Sequence, residues 1–233
     1  MSLQIEKITI KYGHHLVLND VSIKMEIGTV HGIAGVNGSG KTSILNAIAG
    51  FVKVSQGRIL WNSDKVHSAD VALLDSQPYF YKGMTGMDYI SLFAARTPAF
   101  EINEWNDIFK LPLNERVDVY SSGMQKKLAL MGAVALDRPL LLLDEPFNAL
   151  DMEAVEWLKL LIHSLKEKGK TILLTSHIMD TLTLTCDCIH FIDAGNIKIS
   201  YTRDHFEELK QEINQYTNET YAEKIRLALN NLK

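Results

Sequence analysis

Cysteine is nearly absent from this chain of 233 residues, which has only 2, Cys186 and Cys188, separated by a single residue. A lone C-x-C pair supplies no disulfide framework and falls short of the four ligands that a structural zinc ion usually takes. Two reduced thiols at the entrance to a strand are therefore expected. No run approaches the roughly 20 consecutive apolar residues that cross a bilayer, and residues 3–12 alternate like a strand with no signal-peptide pattern before them. The expectation is a protein that stays on the cytoplasmic side and reaches a membrane only if another chain brings it there. Basic charge is not in excess either. Lys and Arg number 24 against 28 Asp and Glu, a formal net charge of −4, so the overall electrostatic footprint of a nucleic-acid binder is missing and no nucleic-acid partner is expected. Internal repeats and low-complexity linkers are also missing.

What is present is ordinary globular composition, 46% apolar and 22% charged, enough to bury a core without disulfides or metal. Val21, Ile23, Met25 and Ile27 alternate as a half-buried strand requires. A second alternating piece covers residues 57–61, and a short apolar run covers 71–74. Residues 140–143 and 171–175 are continuous apolar runs, which suit strands buried on both faces of a parallel sheet. Helical patterns fall at 124–136 and 152–168, the latter carrying Val155, Leu158, Ile162 and Leu165 at steps of three and four. Strand–helix alternation of this kind predicts an α/β fold with a mainly parallel sheet and crossover helices. Residues 79–120, with Pro98, Pro112 and several aromatics, read as a helical subdomain inserted between core segments 1–78 and 121–203. Residues 204–233 read as a polar helical tail with a break at 216–221.

The sharpest local signal is Gly35-Val-Asn37-Gly38-Ser39-Gly40-Lys41-Thr42, a G-x-x-x-x-G-K-[ST] sequence set between an apolar run (30–34) and a helical pattern (42–49). Glycines let successive backbone N–H groups turn inward on phosphate oxygens, and the following helix N-terminus adds its positive dipole end. Lys41 neutralises phosphate charge and the Thr42 hydroxyl ligates Mg2+. Such a loop needs a carboxylate at the tip of a buried strand, and Leu140-Leu-Leu-Leu143-Asp144-Glu145 supplies two. Asp144 can order the metal shell while Glu145, one step on, activates water as a general base.

Four further segments narrow the class. Tyr120-Ser121-Ser122-Gly123-Met124-Gln125 leads into a helix, Gln77 follows the apolar run 71–74, Asn148-Ala149-Leu150-Asp151 follows the paired carboxylates, and Thr175-Ser176-His177 closes the run 171–175. Together with the phosphate loop they resemble the ATP-binding-cassette (ABC) family over almost the whole chain. The first segment is similar to that family's Leu-Ser-Gly-Gly-Gln signature, with Tyr120, Ser122 and Met124 departing from it and Ser121 and Gly123 retained. The resemblance implies a P-loop NTPase core with an N-terminal antiparallel β subdomain. It also implies that Asn37 to Ser43 hold the phosphates of ATP and that Tyr12 in Lys11-Tyr12-Gly13 stacks on adenine. Thr42, Gln77 and Asp144 would hold Mg2+. Glu145, His177 and Gln77 would carry hydrolysis, while Ser121, Gly123 and Asp151 face the ATP of a second cassette, identical or related.

The family's transporter members work on an integral membrane permease at the inner face of the cell membrane. The short stretch between Gln77 and Ser121, and the Tyr-Ser-x-Gly-Met form of the signature, resemble bacterial exporters of peptides, drugs or antibiotics. A soluble cassette ATPase acting on ribosomes or DNA is the alternative. Such relatives carry two cassettes or long coiled coils, whereas this chain has one phosphate loop and no extended heptads. A regulatory GTPase would show an N-K-x-D-like base-reading segment, and none is present.

Overall fold

The computed structural model describes residues 2–230. Two long strands, β1 (Ser2–Tyr12) and β2 (His15–Glu26), form a hairpin, and β3 (Val30–Ala34) leads into α1 (Lys41–Ile48). The strands β4 (Gln56–Trp61), β5 (Asp64–Lys65) and β6 (Val71–Leu74) follow. Next come α2 (Gly86–Ala94), α3 (Ile102–Phe109), α4 (Ser122–Ala135), β7 (Leu140–Leu143) and α5 (Met152–Glu167). The chain closes with β8 (Thr171–Ser176), α6 (Met179–Thr185), β9 (Cys188–Asp193), β10 (Asn196–Thr202) and α7 (Phe206–Asn230).

These strands make two sheets: an antiparallel one ordered β2-β1-β4-β5, and a six-stranded one ordered β10-β9-β3-β8-β7-β6. The second is parallel through β9, β3, β8, β7 and β6, with β10 antiparallel at one edge. This is the α/β arrangement expected, with the antiparallel sheet at the N-terminus. Successive strand residues point to opposite faces, and the four leucines of β7 divide accordingly. Leu140 and Leu142 join Leu3, Ile5, Ile23, Ile44 and Leu173 under the antiparallel sheet and α1. Leu141 and Leu143 join Leu128, Leu158, Ile162 and Leu174 under α4 and α5. A strand buried on both faces has no polar position to spare, which is why its sequence is a continuous run.

The helices at 79–120 pack onto the second of these cores. Thr85 and Asp88 form a reciprocal capping box that starts α2, Asp88 N–H donating to Thr85 Oγ1 at 3.1 Å and Thr85 N–H to Asp88 Oδ2 at 3.0 Å. Tyr89 and Phe93 of α2 pack close against Gly132 of α4, where a Cβ would sit 3.0 Å from the Tyr89 ring. A run of aromatic contacts from Phe100 through Trp105 and Phe109 to Trp157 ties α3 to α5, the last pair edge to face at 4.9 Å.

The tail departs from expectation, because α7 runs unbroken through residues 216–221. No glycine or proline interrupts it, and Tyr216 gives that stretch an anchor. Its ring meets Phe191 edge to face at 5.9 Å and its hydroxyl donates to Asp193 Oδ2 at 2.6 Å. Ile213 and Tyr216 thereby wall a 410 Å³ cavity that backs onto Gly35, Val36 and Asn37.

Candidate active site

The loop Gly35–Gly40 connects β3 to α1, and its shape demands glycine where φ is positive, most plainly at Gly40 (φ 108). A side chain at Gly40 would also strike Leu18 from the antiparallel sheet. Lys41, the first residue of α1, folds back over the loop. Its buried Nζ donates to Gly35 O at 2.7 Å and Val36 O at 3.2 Å and lies 3.5 Å from Glu145 Oε1.

The carboxyl groups arrive from β7. Asp144 accepts two hydroxyl hydrogen bonds, from Thr42 Oγ1 at 2.7 Å and from Thr175 Oγ1 at 2.6 Å. The Thr175 hydroxyl in turn accepts Glu145 N–H at 2.9 Å. Glu145 follows in a left-handed conformation (φ 47), which turns its side chain away from that of Asp144 and back toward α1. There Glu145 Oε2 accepts from His177 Nδ1 at 3.1 Å. Three parallel strands, β3, β7 and β8, thus deliver the phosphate loop, the paired carboxyls and His177 to one edge of the sheet.

A 420 Å³ cavity opens there, lined by Asn37, Gly38, Gly40, Lys41, Thr42 and Ser43 from the loop and by Glu145 and His177 opposite. Half-exposed Tyr12, with Val17, Ser76 and Asn148, forms the rest of the wall. Two buried oxygens in this region, Ser39 Oγ and Glu145 Oε1, have no hydrogen-bond partner, so the site has polar capacity left for a ligand. Its donor set fits a magnesium–nucleotide: hard oxygens from Thr42 and Asp144 suit Mg2+, and the lysine amine, loop N–H groups and helix N-terminus suit phosphate.

Not every residue singled out in the sequence reaches this cavity. Gln77 is exposed and outside its wall, its backbone N–H held by Asp75 Oδ1 at 2.9 Å. Ser121 caps α4, accepting Met124 N–H at 3.2 Å, while Gly123 packs against the carbonyl of Ala149, with a Cβ there only 2.6 Å from that oxygen. Asp151 caps α5, accepting Ala154 N–H at 2.7 Å; that bond, helped by nearby Lys127, holds its carboxyl below the usual range. None of these four lines the cavity.

Sequence reasoning overlooked two residues that hold the site together. Thr175 is fully buried between the two carboxyl positions. Lys126 of α4 sends its amine to the main-chain carbonyls of Asp75 (3.3 Å), Ser76 (3.1 Å) and Asp144 (3.1 Å), clamping the ends of β6 and β7 to one helix. Burial pushes that amine down, against the opposing pull of Asp144, Asp75 and Glu145. The hydroxyl on a strand end left a faint signal in the sequence, but a lysine whose partners are backbone carbonyls leaves none.

Comparison with known proteins decides the family. Residues 18–148 match the family model described as ABC transporter. The chain belongs to the ABC transporter family. Among relatives of this ABC protein, the lantibiotic transport ATP-binding protein SrtF of Streptococcus pyogenes is 29% identical over 219 residues, covering 91% of this chain and 96% of SrtF. The cytochrome c biogenesis ATP-binding export protein CcmA of Mannheimia succiniciproducens is 30% identical over 187 residues, covering 75% of this chain and 87% of its own. A solved ATP-binding subunit of an ABC transporter superposes with a TM-score of 0.80 at 26% identity, covering 92% of this chain and 94% of that one. This chain is accordingly an ABC transporter ATP-binding subunit, and ATP hydrolysis is general to its family.

Proposed function

We propose that this subunit hydrolyses ATP to power an exporter of a peptide, drug or antibiotic, working at the inner face of the membrane on a separate permease. The observation that carries the catalytic part is the linked set Thr42–Asp144–Thr175–Glu145–His177 closing over the phosphate loop. Asn37 to Ser43 bind the phosphates, Lys41 neutralising them, and Tyr12 stacks on the adenine. Thr42 and Asp144 would hold Mg2+, joined by Gln77 once its exposed side chain turns toward the cavity, and the ion would supply charge neutralisation on the phosphate oxygens. Water attacks the γ-phosphorus while its proton passes to Glu145, and the bond from that phosphorus to the bridging oxygen of ADP breaks. His177 orients Glu145.

A pairing of two cassettes is the reading that gives the residues outside the cavity a role. Ser121, Gly123 and Asp151 sit away from their own chain's phosphate loop, so the ATP they contact belongs to a second copy or a related cassette arranged head to tail. ATP closes that dimer and hydrolysis lets it open. Exposed Tyr79 and Tyr81, paired edge to face at 5.4 Å just after Gln77, support a permease-docking face. Among the described residues no helix is long and apolar enough to cross a membrane, and in this reading the separate permease supplies the spanning part. Transport is supported by the name of the SrtF relative and export by that of CcmA.

The test is affinity purification of the tagged chain from its native cells in mild detergent. A multi-spanning membrane protein recovered in stoichiometric yield is expected. Recovery of ribosomes or DNA-associated proteins with no membrane partner would overturn the transport reading and leave the hydrolytic site standing.

A further inference from the structure

The two cysteines part company in the fold. Cys186, at the end of α6, is fully buried against Leu182 and Gly32. Cys188 opens β9 and looks the other way. Parallel pairing sets His31 of β3 opposite Cys188, and Ile33 opposite His190. Because residues two apart share a sheet face, His31, Cys188 and His190 project together, on the face where Ile33 and Ile192 pack toward the antiparallel sheet. His31 Nδ1 and His190 Nε2 are 2.9 Å apart and Cys188 Sγ is 3.8 Å from His190 Nε2, all three ligand atoms lying within 4.8 Å of one another. His190 Nδ1 meets Ser200 Oγ of β10 at 2.7 Å. None of these residues touches the phosphate-loop cavity.

We propose that His31, His190 and Cys188 form a binding site for one Zn2+ ion, with the half-buried Cys188 side left open for a water ligand. Two imidazole nitrogens and a thiolate match the borderline-soft preference of zinc, and among the described residues no carboxylate belongs to the cluster to favour Mg2+ or Ca2+. Zinc bonds of about 2.0–2.1 Å to nitrogen and about 2.3 Å to sulfur, in tetrahedral geometry, set N···N near 3.3 Å and N···S near 3.6 Å. The 2.9 and 3.8 Å observed lie within a small side-chain rotation of those spacings. Ser200 supplies the outer contact that zinc-bound histidines commonly have, accepting the His190 Nδ1 proton so that Nε2 offers its lone pair. Binding releases the Cys188 thiol proton, while His31 shifts its single N–H proton from Nδ1 to Nε2 so that both rings stay neutral. Without zinc, the two rings hydrogen-bond to one another as a buried neutral pair, and the experiment must separate these states.

The full-length chain, stripped with chelator and kept in excess Mg2+ to occupy Asp144 and Thr42, is titrated with Zn2+ and, separately, with Co2+. One zinc per chain is expected for the native protein and for Cys186→Ser. The cobalt form should show a thiolate charge-transfer band that Cys188→Ser abolishes, and Ser200→Ala should weaken zinc binding about 10- to 100-fold. Thermal melting and ATP binding establish that each variant is folded. Failure of the native chain to retain zinc, or undiminished binding by folded Cys188→Ser, would overturn the proposal. Should Cys188→Ser fail to fold, a native cobalt spectrum lacking the thiolate band overturns it alone.

Discussion

Replacing Thr175 with valine tests how far the site depends on one buried hydroxyl. Valine keeps the shape of threonine, so no cavity opens, and Thr175 is fully buried, so water cannot substitute. The hydroxyl makes two bonds at once, donating to Asp144 Oδ1 at 2.6 Å and accepting Glu145 N–H at 2.9 Å. A hydrogen bond to a charged group contributes about 1.5–3 kcal/mol, and a buried N–H left without a partner costs about 1–3 kcal/mol. The two losses share one atom and do not simply add, so about 3–4 kcal/mol is expected. For a chain of this size each kcal/mol moves the melting temperature by about 2–4 °C, which puts the drop near 10 °C.

The assay is thermal unfolding of the native chain, Thr175→Val and Thr175→Ser, first without nucleotide and then with ATP and Mg2+. Serine keeps the hydroxyl and should recover most of the loss. The protective shift given by ATP and Mg2+ should also shrink in the valine variant, because Asp144 is then held by Thr42 Oγ1 alone. If Thr175→Val melts within about 2 °C of the native chain, this reasoning fails, and Asp144 and Glu145 are positioned by the strand alone.

Two further outcomes follow from the same site. Glu145→Gln keeps the size of the side chain and removes the base, so ATP turnover should fall by about 10²- to 10⁴-fold while ATP binding persists, with an ATP-held dimer visible in gel filtration. Gly123→Ala places a methyl group against the Ala149 carbonyl and should lower turnover at high protein concentration; equal turnover in the two proteins would refute the idea that this contact shapes the dimer surface.

Continuous apolar runs were the easiest part of the fold to locate. Residues 30–34, 71–74 and 140–143 form strands with those same limits; in the last two, cover on both faces excludes polar residues until the strand ends, while β3 admits one buried polar residue, His31. The outer strand of the β9–β10 hairpin escaped notice, although Ile197, Ile199 and Tyr201 alternate with polar neighbours and Gly195 takes the positive φ (76) of its turn. The hairpin's inner strand starts at Cys188, where the two thiols are expected to mark the entrance to a strand. The expected break in α7 failed for a different reason. Polar residues around an aromatic look like a loop, and only tertiary contact with Phe191 and Asp193 gives Tyr216 a reason to be helical.

The same distinction governs the sites. Lys41 and Thr42, or Asp144 and Glu145, are neighbours in the chain because a loop and a strand tip each deliver adjacent residues to one place, so spacing carries their chemistry. Lys126 binds carbonyl oxygens, which every residue possesses, so no partner type marks it. His31 stands 159 residues from His190, and only the pairing of β3 with β9 brings their rings together. The sequence does contain the information for that pairing, in the apolar runs that make both strands parallel neighbours. It becomes chemistry only when the register is known, since a shift of one residue would turn Cys188 and His190 to the opposite face and leave His31 alone.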